Sequence, residues 1–293
     1  MDPTFALLSA ARFVHFAAIC VLFGLVAFPF YAWGPDHAVP SSFRKALRWS
    51  GVLALISAWA VLVMMTAGMG GSLAGAADLS LLMTAVSDTQ FGRVWMVRIL
   101  LAVAVLALIV KPRPARDRPM LILSGVLLAS VALTGHSALP GGVPGMLHQI
   151  ADAAHLLAAG WWVGGLLALV LVARALGDEA YPVLERFSGV GYGAVAAIVA
   201  TGLFKSAILV ASLGGVDSTA YGWTLLFKVA LVAVMGLLAL SNNVLIARRL
   251  KTGADQALWL GRLQHSVSLE FALGIGVLAV VGALGALSPP ISQ

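Results

Sequence analysis

Six histidines are the residues of this chain best suited to chemistry, and four of them cluster by position. His15, His136, His148 and His155 all fall toward the same side of the long apolar segments that hold them. His148, Asp152 and His155 are spaced four and three apart, which puts them on one helix face. The short stretch Leu139-Pro140-Gly141-Gly142-Val143-Pro144 brings His136 close to His148. Methionines gather on the same side: Met64, Met65, Met69, Met83 and Met146, with Met65 and Met69 on one face. Imidazole suits copper, zinc, iron and nickel, and thioether selects Cu(I). Cys20 is the single cysteine, so an internal disulfide and a multi-thiolate site are both excluded. The expected metal-binding set is His15, His136, His148, His155, Asp152, Met65, Met69 and Met146. Each has a plainer reading: histidine as an interhelical hydrogen-bonding residue, methionine as apolar filler, and Asp152 as an ion-pair partner of Arg12.

Other polar groups also lie inside apolar segments, where they are costly and usually face a bundle interior or a cavity. Glu270, Asn242, Asn243, Lys228 and Arg98 are candidates for a pathway or a coupling site, against the plainer reading of a structural hydrogen-bonded cluster. Arg12, Arg93, Arg98, Lys205 and Lys228 lie toward the histidine side. They would repel a bare cation, would suit an anionic group such as haem propionates, or would snorkel to headgroups.

The elements that must position these residues are membrane helices. The 293 residues are 61% hydrophobic and 10% charged, far from the ~25% charged residues of a soluble domain. Eight segments, at about 6–33, 47–70, 93–110, 119–138, 147–174, 185–212, 222–247 and 265–287, reach the ~20 apolar residues of a spanning helix. The expected fold is therefore an all-α bundle of eight transmembrane helices. Of the 18 Lys and Arg residues, 13 fall after helices 1, 3, 5 and 7, and the loops 71–92, 139–146 and 213–221 hold none. The positive-inside rule makes the first set cytoplasmic and both termini periplasmic. The net charge of +6 thus reports topology, and nucleic-acid binding is not expected. Met1-Asp2-Pro3 lacks the basic start of a signal peptide, so the first apolar stretch is expected to remain as a helix.

The halves resemble each other. Arg48-Trp49-Ser50-Gly51-Val52 matches Arg186-Phe187-Ser188-Gly189-Val190. Thr89 to Gly92 with Arg98 matches Thr219 to Gly222 with Lys228. His15 with Gly24 matches His155 with Gly164. The offsets are 138, 130 and 140 residues. Two parallel four-helix repeats, 1–140 and 141–293, are expected, related by an axis along the membrane normal. That arrangement predicts His15 and His155 at equal depth, with a site between the halves.

The chain resembles the copper-resistance D family of bacterial inner-membrane proteins. The stretches that carry the resemblance are His155 to Gly165 with Trp161-Trp162, Phe187-Ser188-Gly189, Gly222 with Lys228 and Asn242-Asn243, and Ser268-Leu269-Glu270 running to Ser288-Pro289-Pro290. It is strongest over about residues 148–290, with Arg12 and His15 in support. The resemblance implies an eight-helix protein that imports copper from the periplasm. It also implies a separate partner, the small periplasmic copper-binding protein of the C family. Two alternatives stand beside it: a b-type cytochrome with His15 and His155 as axial ligands of one haem, and a non-transporting copper-binding assembly factor. No HExxH, GxxxxGK[ST] or GxSxG motif occurs, and no enzyme is expected.

Overall fold

The computed structural model describes residues 3–33, 39–111, 114–134, 142–175, 179–213, 220–252 and 255–285. Among these, every regular element is helical. Seven helices are long and apolar enough to cross a membrane: α1 (Pro3–Tyr31), α2 (Ser41–Met69), α4 (Gln90–Val110), α6 (Gly142–Val172), α7 (Ala180–Leu213), α8 (Ala220–Ser241) and α10 (Gln256–Leu284). Between the last two lies a single turn, α9 (Arg248–Lys251). Leu100, Leu203, Trp223, Leu237 and Val110 are all more than 60% exposed. Such a surface would be untenable in water but is satisfied by hydrocarbon.

Two expectations change here. The fourth expected span is shorter than drawn: α5 (Arg118–Ala129) passes into a 3-10 turn over Ser130–Leu133. The segment 71–92, expected as a loop, contains the helix α3 (Leu79–Asp88). Asp78 caps α3 by accepting from the backbone N–H of Ser80 at 2.9 Å and of Leu81 at 3.2 Å. Bonding from the Ser80 hydroxyl, and then from the Leu81 N–H, holds its carboxyl below its ordinary range. Thr89 caps α4 through the Gly92 N–H at 2.9 Å, so the Thr-to-Gly motif has a local structural job.

α1 and α6 form the central pair. α2 and α5 pack on α1, and α4 joins them through α2 and α5; α7 and α10 pack on α6, and α8 joins through α10. The glycines set the central approach. A Cβ on Gly164 would stand 2.6 Å from the Gly24 Cα and 2.8 Å from the Cys20 carbonyl. A Cβ on Gly24 would collide with the Gly160 carbonyl and with Gly164. Small residues let helix backbones meet in this way within a membrane. At the far end of α1, Arg116 donates to the carbonyls of Pro29 at 2.8 Å and Trp33 at 3.0 Å. The first is one of the last four carbonyls of α1, which a helix end leaves without intrahelical partners. At the near end, Arg12 donates to the Gly285 carbonyl just past α10, so the start of α1 and the end of α10 lie on the same side.

Candidate functional site

His15 lies on α1 and is fully buried. Its Nδ1 is 3.0 Å from Ser57 Oγ on α2. Ser57 sends its own hydroxyl proton back along the helix to the Leu53 carbonyl at 2.5 Å. With that proton spent on the Leu53 carbonyl, the lone pairs of the hydroxyl face His15 Nδ1 and accept where that nitrogen carries the hydrogen. The other ring nitrogen, Nε2, is then unprotonated, and it is buried with no hydrogen-bond partner. His155 on α6 is wired alike. Its Nδ1 is 2.8 Å from Thr201 Oγ1 on α7, and Thr201 donates to the Ala197 carbonyl at 2.5 Å. A hydrogen bond at one imidazole nitrogen that fixes the tautomer and aims the other is the outer-shell arrangement of metal-ligating histidines.

The surroundings of the two rings differ in detail. The Trp95 ring lies 5.5 Å from His15 between centroids, and the Arg98 guanidinium sits 4.0 Å over Trp95. Arg98 has no exposure. It donates to the Ser130 hydroxyl and carbonyl at 3.0 and 2.8 Å and to the Thr134 hydroxyl at 3.1 Å, tying α4 to the end of α5. Its Nη1 has no partner. Around His155, the charges of Lys228, Lys205 and Asp152 are within electrostatic reach.

The expected single site does not assemble. His15 and Gly24 are nine residues apart, about two and a half helical turns, as are His155 and Gly164. The glycines face each other across the α1–α6 seam, so each histidine points the opposite way, to α2 and α4 for His15 and to α7 for His155. Each ring thus bonds within its own half, His15 to Ser57 and His155 to Thr201. Among the described residues no three His, Cys, Asp or Glu side chains group as a metal site. The expected Arg12–Asp152 pair is also replaced. Asp152 pairs with Lys205, while Arg12 reaches the Gly285 carbonyl and, at 3.5 Å, the Met65 sulfur. Met69 and Met146 are 51% and 54% exposed at the histidine side. His148 is half-buried near the start of α6, with its Nδ1 unpartnered. His136 lies outside the described residues.

A second polar cluster lies deeper. Glu270 on α10 is 1% exposed. Its Oε1 accepts from Trp162 Nε1 at 3.0 Å and its Oε2 from Asn242 Nδ2 at 3.2 Å. Asn242 opens a π-helical turn, Asn242–Ala247, at the end of α8. Such turns often occur at functional positions. Asn243 follows in the same turn and is half-buried. Nothing in the sequence pattern marks Ser57, Thr201, Trp95 or Trp162 as partners. Trp162 is visible as part of a motif but carries no chemistry by itself.

Long apolar helices around a buried polar interior define a multi-pass inner-membrane protein. A family model described as "Copper resistance protein D-like, N-terminal domain" matches residues 1–146, and one described as "Copper resistance protein D" matches residues 181–284. The chain is 30% identical to the inner membrane protein YebZ of Escherichia coli (strain K12), over 96% of this chain and 97% of the relative. It is 30% identical to a copper resistance protein D of Pseudomonas syringae pv. tomato, over 96% of both. It is 29% identical to the copper transport protein CutJ of Bacillus subtilis (strain 168), over 96% of this chain and 53% of the relative. No solved structure matches. The chain belongs to the copper resistance protein D family.

Proposed function

We propose that this protein carries copper ions across the inner membrane, from the periplasm inward, with His15 and His155 as one ligand station in each half. The observation that carries the reading is the matched wiring of the two rings. In both, a hydroxyl on the next helix accepts a hydrogen bond from Nδ1–H, which leaves Nε2 as a lone-pair donor. Met65, beside Arg12 near the same end of α1, adds a soft thioether, and His136, His148, Met69 and Met146 are the entry residues. Fixed positive charge near both stations raises the cost of a cation in proportion to its charge, which favours Cu(I) over Cu(II). The names of two relatives, a copper resistance protein and a copper transport protein, support copper as the cargo.

The topology is eight passes in two repeats, 1–140 and 141–293, with the outer ends of the first and last helices in the periplasm. Three observations support it. The Arg12–Gly285 contact puts those two ends on one side, which requires an even number of passes. The packing pairs α1–α2, α1–α5, α4–α5 and α5–α6 recur as α6–α7, α6–α10, α8–α10 and α10–α1. Gly24 and Gly164, which the duplication equates, meet at the seam. The partner is a separate periplasmic copper-binding protein of the C family, delivering to the methionine-bearing outer face, and the protein is not an enzyme.

The test is copper uptake into proteoliposomes that enclose a copper-quenched dye. Wild type accumulates copper, and His15→Ala and His155→Ala each lose at least about tenfold, the scale expected when a ligand or its support is removed. Copper binding without uptake would make the protein an assembly factor instead. A Soret band in the purified protein would replace copper by haem.

A further inference from the structure

We propose that Glu270 is a proton-binding site in the membrane interior, with the Asn242 amide as the switch that accommodates both of its protonation states. A cavity of about 30 Å³ reaches the carboxylate, lined in part by Trp162, Ser188, Tyr192, Asn242 and Glu270. It has room for a water or two. Water there could hand a proton to a group that protein otherwise encloses. Among the described residues Glu270 has no ion-pair partner. The elements packed around it offer no other charge to the cavity: α6 contributes Trp162, α7 Ser188 and Tyr192, and α8 with its π turn Ala239 and Asn242. Tyr192 is the only other titratable side chain in that lining, and α1 places none there.

An uncompensated carboxylate in such a place costs several kcal/mol. The two N–H donors offset part of this and make the ionised form attainable. The neutral form needs an acceptor for its new O–H. Asn242 Oδ1 is that acceptor: it is buried, unpartnered, and belongs to the amide whose nitrogen already contacts Glu270. On protonation, hydronium in the cavity gives its proton to Oε2 and is left as water. The N–H···Oε2 bond is exchanged for Oε2–H···Oδ1 by rotation of the Asn242 amide. The Trp162 bond persists in both states. Asn242 is the first residue of the π turn that follows α8. Use of this proton to balance copper movement rests on the transport reading. Proton binding itself does not, so the experiment omits copper and either idea can fail alone.

The experiment is infrared difference spectroscopy of the full chain in lipid nanodiscs, titrated from alkaline to acidic pH. A carboxylic-acid carbonyl band should grow on acidification, disappear in Glu270→Gln and remain in His15→Ala. Gln keeps the acceptor for Trp162, and size-exclusion chromatography checks that the variant is folded. Asn242→Leu retains the acid but removes its switch, and should move the half-point of the band by about one pH unit, the worth of one hydrogen bond. A Glu270-dependent band present at every pH, or at none, overturns the proposal. An unmoved half-point in Asn242→Leu overturns the role of the amide.

Discussion

At the scale of single residues, the chemistry turns on two hydroxyls that look ordinary. Ser57 and Thr201 each bond a carbonyl four residues back, the usual behaviour of such residues inside a helix. What distinguishes them is the histidine that donates to the remaining lone pair. Ser57→Ala and Thr201→Val should free the rings to rotate and weaken copper binding by about 10–100-fold, measured by competition with a chelator of known affinity. A loss of about 1 kcal/mol in stability with unchanged copper affinity would mean that the hydroxyls serve packing alone. The histidines were legible in the sequence as a one-sided set, because polar residues stand out in apolar helices. Their partners were not, since they lie 42 and 46 residues away and no local pattern marks them. The spacing did hold one unread signal. Nine residues between histidine and glycine is half a turn off register, so a glycine at the seam already turns its histidine away from it.

At the scale of elements, the α1–α6 seam is set by atoms too close for any side chain. Gly24→Val and Gly164→Val should each force the helices apart and cost at least the ~1–3 kcal/mol of an overpacked core, seen as a lower midpoint of thermal unfolding in detergent. Gly189→Ala and Gly236→Ala meet nothing within 4 Å and should be neutral or stabilising by up to ~1 kcal/mol, the helix-propensity difference. These contrasts also grade the duplication. The Gly24–Gly164 match is a physical contact, whereas at the Ser-Gly match the surroundings differ: Gly51 sits under Ile109 and Leu106, and Gly189 has open space. The hydroxyls that do equivalent work are Ser57 and Thr201, 144 residues apart rather than the 138 of the Ser-Gly pair. Serine and glycine are common enough in membrane helices for a short match to arise without shared geometry. Spans were legible because lipid demands long apolar runs. The helix α3 was not, since its ten residues read as a polar-flanked outer loop.

At the scale of the whole molecule, the topology turns on the pass between α4 and α6. Twelve α-helical and four 3-10 residues rise about 26 Å, a little short of the ~30 Å hydrocarbon core. Arg98, in the third turn of α4, bonds Ser130 and Thr134 at the far end of the α5 segment, so the end of that segment lies beside the third turn of α4. Cysteine labelling tests the pass cleanly, because the only native cysteine, Cys20, is buried. Pro114→Cys, at an exposed position before α5, should resist a membrane-impermeant maleimide in intact spheroplasts and react once they are opened. Val143→Cys, 64% exposed near the start of α6, should react at once. Equal reactivity of the two sites would place both ends of α5 on one face. The pass count would then be odd, the Arg12–Gly285 contact could not form in a membrane, and the two-repeat arrangement of the stations at His15 and His155 would fall with it.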